Sequence, residues 1–148
     1  MTLENLLAIH RLHAFKPDSA GIARLLTAAE RNFTDAGIAA LSAENRFDAA
    51  YKTIMQCAMI GLWACGYRTS TSQPGHHQTA IQVLPKTMGV SADTVIVLDA
   101  LRKRRNLNDY EGDSVSDTVV TECLQQASAL LAHTRQWLGT NHPGLFEK

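Results

Sequence analysis

The chain has 148 residues, a length that predicts one domain with a core of its own. Hydrophobic residues make up 45% and charged residues 19%, a balance that is typical of globular proteins and excludes a disordered chain. Fourteen basic and fourteen acidic side chains cancel, so contact with nucleic acid must depend on a local patch. The only dense basic patch is Arg102–Arg105.

Apolar residues recur at helical spacing along nearly the whole chain. The expected N-caps are Asp18 or Ser19, Ser42, Ser91, and Ser114 or Ser116, and Pro85 predicts an early stop or a kink in its helix. No strand of useful length is expected. The predicted helices cover approximately residues 2–14, 18–36, 42–65, 76–88, 91–111 and 114–138.

This pattern predicts an all-α fold, an antiparallel up-and-down bundle of four main helices with an N-terminal helical extension. We expect a single domain over 1–148. Its core spans about 42–138, the extension is 1–41, and 139–148 form a loose tail.

The three cysteines are odd in number, lie inside helical patterns and form no Cys-x-x-Cys. We therefore expect buried free thiols in a reducing cytoplasm. The apolar run near residues 54–65 is too short and too interrupted to cross a bilayer, so no membrane association is expected. No metal site and no cofactor are predicted.

The helix around residues 95–105 carries a cation where an apolar residue would be expected. Leu98 and Leu101 lead at helical spacing to Arg105, and a cation on a buried face requires a partner or a ligand. Two hypotheses follow. Arg105 forms a structural pair with Asp109 four residues on, or it belongs to a site for a phosphate or nucleotide.

Three segments, taken in order, resemble a HEPN domain over about residues 42–138. They are Phe47-Asp48-Ala49-Ala50-Tyr51, Gly75-His76-His77 and Leu101-Arg102-Lys103-Arg104-Arg105-Asn106-Leu107-Asn108-Asp109-Tyr110. The resemblance implies a helical bundle, usually dimeric. Many such domains are metal-independent ribonucleases in which an arginine, the polar residue after it and a later histidine meet near the two-fold axis. Others pair with a small nucleotidyltransferase as a toxin–antitoxin module, or only bind nucleotides or RNA.

Carried over to this sequence, Arg105 matches the arginine of the HEPN motif and Asn106 the polar residue after it. Tyr110, preceded by Asp109, stands where the catalytic histidine would be, as in an Arg-Asn…Asp-Tyr subgroup that lacks this histidine. A tyrosine with a pKa of about 10 is a poor base at pH 7, although it can donate a hydrogen bond to phosphate. The resemblance therefore favours binding over catalysis, and no catalytic residue is assigned.

The remaining candidates are weaker. Arg102 is a further basic residue of the patch, and His76 and His77 lie at a helix start, where backbone N–H groups attract anions. Adjacent residues on a helix point about 100° apart, so the two histidines would not chelate one metal. We favour a surface position for both histidines, and a core position for Tyr51.

Together these patterns predict a HEPN-like nucleotide- or RNA-binding domain, a homodimer in a toxin–antitoxin-like or stress-defence system. A nucleotidyltransferase is a possible partner. The alternatives are a metal-independent ribonuclease toxin and a noncatalytic dimeric protein-interaction bundle, so whether the chain is an enzyme stays open.

Overall fold

The computed structural model describes residues 2–72, 75–112 and 114–146, except for the side chains of Asp109 and Tyr110. Over these residues the chain is essentially all-α, as predicted, with one small antiparallel sheet. The elements in chain order are α1 (Leu3–Ala8), β1 (Leu12–Ala14), α2 (Ser19–Ala36), α3 (Ala43–Ala64), β2 (Tyr67–Thr69), α4 (His76–Gln82), α5 (Leu84–Thr87), α6 (Ala92–Glu111) and α7 (Asp117–Asn141).

The starts of the long helices are fixed by side-chain caps. Each capping oxygen accepts a hydrogen bond from the backbone N–H three residues on, a group that has no partner within the helix. The prediction is confirmed at Asp18, Ser42, Ser91 and Ser116.

The central element is α3, because α2, α6 and α7 all pack against it. It is buried on most of its circumference, as expected for a helix surrounded by others. The Thr53 hydroxyl lies between α3 and α2 and donates to the carbonyl of Ala29 at 3.1 Å. Arg135 of α7 pairs with Glu30 of α2. Residues 1–41 therefore supply one of the long bundle helices, rather than only an extension.

The helix predicted over 2–14 is shorter than expected. His10 adopts a φ of 65°, and the N–H groups of His10 and Arg11 bond to the carbonyls of Leu7 and Leu6. This closing turn ends α1. Residues 12–14 then form β1, which pairs antiparallel with β2. The prediction failed because a strand partner more than fifty residues away leaves no trace in local periodicity.

Two further features concern the ends of helices. The predicted break at Pro85 is confirmed, since α4 ends at Gln82 and α5 begins at Leu84. The last helix continues past Gly139 to Asn141. Leu145 and Phe146 then pack against a cluster of Ile22, Ile60, Ala64 and Leu138, so this part of the predicted loose tail is packed on the bundle.

Candidate functional site

Arg105, the cation expected on the apolar stripe of its helix, lies on the face of α6 that meets α3. Leu98 and Leu101 are buried, and Arg105, the next residue on this stripe, has a side chain that is 24% exposed. Its Nε donates to Oδ1 of Asp48 on α3 at 3.1 Å. Its guanidinium carbon lies 5.1 Å from the centre of the Tyr51 ring, a cation–π distance. Arg105 is thus held between two residues of the central helix.

The surrounding ion pairs leave an excess of positive charge. Asp48 also pairs with Lys52 through Oδ2 at 3.3 Å, so one carboxylate serves two cations. On α6, Asp99 pairs in the same way with Arg102 and Lys103. In these ion pairs two carboxylates face four cations, and Glu44, which lines a cavity with Arg105, adds a third carboxylate nearby.

A tyrosine and a histidine next to Arg105 are both kept uncharged. The Tyr51 hydroxyl lies 3.3 Å from Nδ1 of His77 on α4. Burial raises the pKa of Tyr51 to about 12 against the opposing effect of Arg105. Burial lowers the pKa of His77 to about 4, with further contributions from His76, Arg105 and Arg102. At neutral pH both groups are therefore uncharged, and neither adds a charge to the site.

Arg105 forms part of the wall of two cavities. The first, the tyrosine cavity, has a volume of about 220 Å³ and is lined by Tyr51, Lys52, Met55, Gln56, His77 and Arg105. The second, the carboxylate cavity, has a volume of about 290 Å³ and is lined by Glu44, Asn45, Phe47, Asp48, Lys52, Arg105 and Asn108. Arg105 and Lys52 line both. Among the residues whose side chains the structure describes, the lining of the carboxylate cavity includes two carboxylates and that of the tyrosine cavity none.

The amide of Asn108 is a second unusual group at this site. Its Oδ1 and Nδ2 atoms are shielded from solvent, and neither has a hydrogen-bond partner among the residues that the structure describes. Most buried polar atoms in proteins are paired, so an unpaired amide in the wall of a cavity is a feature to explain.

The structure brings together only some of the residues predicted from sequence. Arg105 and His77 line the same cavity, with His76 packed edge-on against His77 at 4.6 Å between ring centres. The predicted surface position of these histidines is wrong for His77, because α4 packs against α3 and half-buries the ring beside Tyr51. Arg102 lines neither cavity. Its side chain is 15% exposed, and its Nε donates to Asp99 at 2.8 Å.

The other predicted residues stand apart from the cavities or beyond the described atoms. Asn106 is exposed and lines neither cavity, because the helical turn carries it away from its neighbour Arg105. The side chains of Asp109 and Tyr110 lie outside the described part of the chain. The Arg105–Asp109 pair stays a prediction.

Sequence reasoning missed Asp48, Lys52 and Asn108 as site residues, although one signal for the first two was available. Asp48 and Lys52 are four residues apart and Tyr51 lies three from Asp48, a spacing that places all of them on one helix face. No comparable local pattern marks Asn108, because its position becomes significant only when α6 packs against α3.

Within the described residues, no group of three or more histidine, cysteine or acidic side chains could hold a metal ion. In the same part of the chain, no helix combines the length and the apolar character needed to cross a membrane. All three cysteines are free thiols; Cys57 and Cys123 are buried, as predicted, whereas Cys65 is only partly buried.

No model of a known protein family matches the chain, and no curated protein matches it. The resemblance to HEPN domains therefore depends on the motifs quoted above.

Proposed function

We propose that this chain is a HEPN-like domain that binds a nucleotide or RNA through Arg105. The observation that carries the proposal is the placement of Arg105. It is half-buried, held by Asp48 and the Tyr51 ring, and it forms a wall of two cavities. A cation fixed in this way at the edge of a cavity is suited to a planar or anionic ligand.

The tyrosine cavity has the chemistry of a phosphate site. A guanidinium carries five N–H donors and suits phosphate oxygens as well as carboxylates. Lys52 supplies a second cation, and neutral His77 can donate one hydrogen bond from its ring.

One observation favours the alternative, a metal-independent ribonuclease. A histidine, His77, lies in the same cavity as Arg105, although not at the position in the motif where the family has it. Its pKa of about 4 leaves almost none of the ring protonated at pH 7, so it would be a poor acid and a weak base. Binding without cleavage is the better-supported function.

We also propose the homodimer and the toxin–antitoxin-like or stress-defence setting that the resemblance implies, with a nucleotidyltransferase as a possible partner. The dimer rests on the resemblance alone. The exposed Ile96 and Leu107 lie about 180–200° around α6 from Arg105, so contact through them would keep the two arginines apart.

The test compares two variants that remove one positive charge each from α6. Arg105→Ala removes the cation of the cavities, whereas Lys103→Ala removes one that is 70% exposed and lines neither cavity. Isothermal titration with AMP and with a short single-stranded RNA should show binding that weakens with added salt. Arg105→Ala should weaken it at least about tenfold, the effect of one charge-assisted hydrogen bond, and Lys103→Ala less than about threefold.

Circular dichroism of both variants controls for folding. Equal losses in the two variants would contradict a site centred on Arg105. No binding of either ligand to the unmodified chain would refute the proposed function and favour a protein-interaction bundle. Cleavage of the RNA in the presence of EDTA, lost in Arg105→Ala, would establish the ribonuclease instead.

A further inference from the structure

One face of the two-stranded sheet carries exposed basic side chains that lead away from Arg105. We propose that this face binds the backbone of a single-stranded RNA, so that the ligand is an RNA of several nucleotides rather than a mononucleotide. This inference rests on the proposed function, because one phosphate of the same RNA must lie at Arg105.

The pairing of β1 with β2 places three basic residues on one face of the sheet. Side chains alternate along a strand, so Arg11 and His13 point to the same side. His13 stands opposite Arg68 of β2 in the register of the sheet, and opposite residues of an antiparallel pair share a face. The backbone N–H of Ser70 donates to the carbonyl of Arg11 at 3.0 Å, so the pairing continues to that residue. All three basic residues are exposed, and together they define the ribbon face.

Arg68 is held in place by aromatic rings rather than by a carboxylate. Its guanidinium carbon lies 5.0 Å from the centre of the Phe15 ring and 5.2 Å from that of Trp63, both cation–π distances. Within the ranges that the structure describes, its side chain forms no ion pair and no hydrogen bond. A planar guanidinium that is positioned in this way, with its N–H donors unused, suits bidentate binding of a phosphate.

A further cation borders the same rings from α2. Nη2 of Arg24 and Cζ3 of Trp63 each lie 3.7 Å from the position that a Cβ on Gly21 would take. A carboxylate, Asp18, also lies here, and its Oδ1 caps α2 by accepting from the N–H of Gly21 at 2.6 Å. Partly exposed aromatic rings bordered by cations are typical of sites for single-stranded nucleic acid, where rings stack with bases and cations hold the backbone.

The ribbon face is continuous with the site at Arg105. Nη1 of Arg11 lies 3.7 Å from the position that a Cβ on Gly75 would take, so the Arg11 side chain reaches the N-cap of α4. Two residues further on, His77 lines the tyrosine cavity together with Arg105. A mononucleotide in that cavity has no second phosphate to reach the ribbon face, whereas an RNA that extends past the start of α4 has several.

The test compares UMP with octauridylate, which carry the same base and differ in the number of phosphates. Isothermal titration of the full chain should show octauridylate binding at least about tenfold more tightly than UMP. Arg68→Ala should weaken binding of octauridylate at least about fivefold and leave that of UMP unchanged. In that variant the slope of log affinity against log salt concentration should be shallower by about 0.7, the effect of one phosphate contact with a single strand.

A matched variant controls for the loss of any exposed arginine. Arg31 is exposed and lies about two turns further along α2 than Arg24, so Arg31→Ala should weaken octauridylate binding less than about twofold. Circular dichroism of the variants controls for folding. Should Arg68→Ala fail to fold, Arg24→Ala on the surface of α2 provides the same comparison.

The possible failures are distinguishable. Equal affinities for UMP and octauridylate, with both lost in Arg105→Ala, would refute the RNA assignment and leave the proposed function in place. Equal octauridylate affinities of Arg68→Ala and Arg31→Ala would likewise refute it. Tighter binding of octaglutamate than of octauridylate would assign the ribbon face to an acidic protein segment instead. Absence of binding by both UMP and octauridylate would refute the proposed function and this inference together.

Discussion

His77 should make the stability of the fold depend on pH. Burial lowers its pKa from 6.5 to about 4, so between these values the unfolded chain binds a proton that the folded chain does not. Stability must therefore fall as the pH is lowered through this window. If the whole shift in the pKa of His77 contributes, the free energy of unfolding falls by roughly 2 kcal/mol between pH 7 and pH 5. Solvent screens a partly exposed ring, and we expect a loss of about 1 kcal/mol.

Urea unfolding gives the free energy of unfolding at pH 7 and at pH 5 for the unmodified chain and for His77→Gln. The contribution of His77 is the loss in the unmodified chain minus the loss in the variant. The variant cannot take up the proton, so its stability should fall by about 1 kcal/mol less over the same interval. His13→Gln, a change at an exposed histidine of β1, should leave the pH dependence as in the unmodified chain. If His77→Gln and the unmodified chain lose stability equally, the burial of His77 against Tyr51 is wrong.

Two further predictions concern the core. Thr53→Val keeps the shape of a fully buried side chain but removes a hydroxyl that lies 3.1 Å from the carbonyl of Ala29 on α2 and 3.2 Å from that of Ala49 on α3, so the free energy of unfolding should fall by about 1 to 2 kcal/mol; an unchanged value in denaturant unfolding would contradict a buried hydrogen bond from this hydroxyl. Burial raises the pKa of Cys57 and Cys123 to about 12, and Cys65 is less buried. Mass spectrometry after brief iodoacetamide treatment at pH 7.5 should therefore find Cys65 labelled first, and faster labelling of either buried thiol would refute this packing.

The helices were predictable because their signals are local. A capping serine and a stripe of apolar residues act within a few turns of chain. The starts at Ser42 and Ser91 were placed correctly, and Ser116 was one of two alternatives for the last helix. The strand β1 was not predictable in this way. Its residues form hydrogen bonds to Tyr67–Thr69 far along the chain, and the local pattern fits a helix equally well.

Two residues of the candidate site, Arg105 and His77, were among the candidates identified from the sequence. Helical phase identified Arg105 as a cation on an inward stripe, and the structure places it there. Its partner could not be found from the same helix, because Asp48 lies 57 residues away and becomes a neighbour only when α6 packs against α3. His77 was expected at the surface. The packing of α4 against α3 places it in the wall of the tyrosine cavity instead.

The most direct test of nucleotide binding at Arg105 is an AMP titration followed by ¹H–¹⁵N NMR at neutral pH. The Nε–H signal of Arg105, assigned by its disappearance in Arg105→Ala, should shift with the bound fraction, together with the backbone amides of Tyr51, Lys52 and His77. These signals should saturate along one binding curve. Shifts confined to another surface, such as the groove beside Arg11 and Lys86, or no shift at millimolar AMP, would contradict a nucleotide site at Arg105.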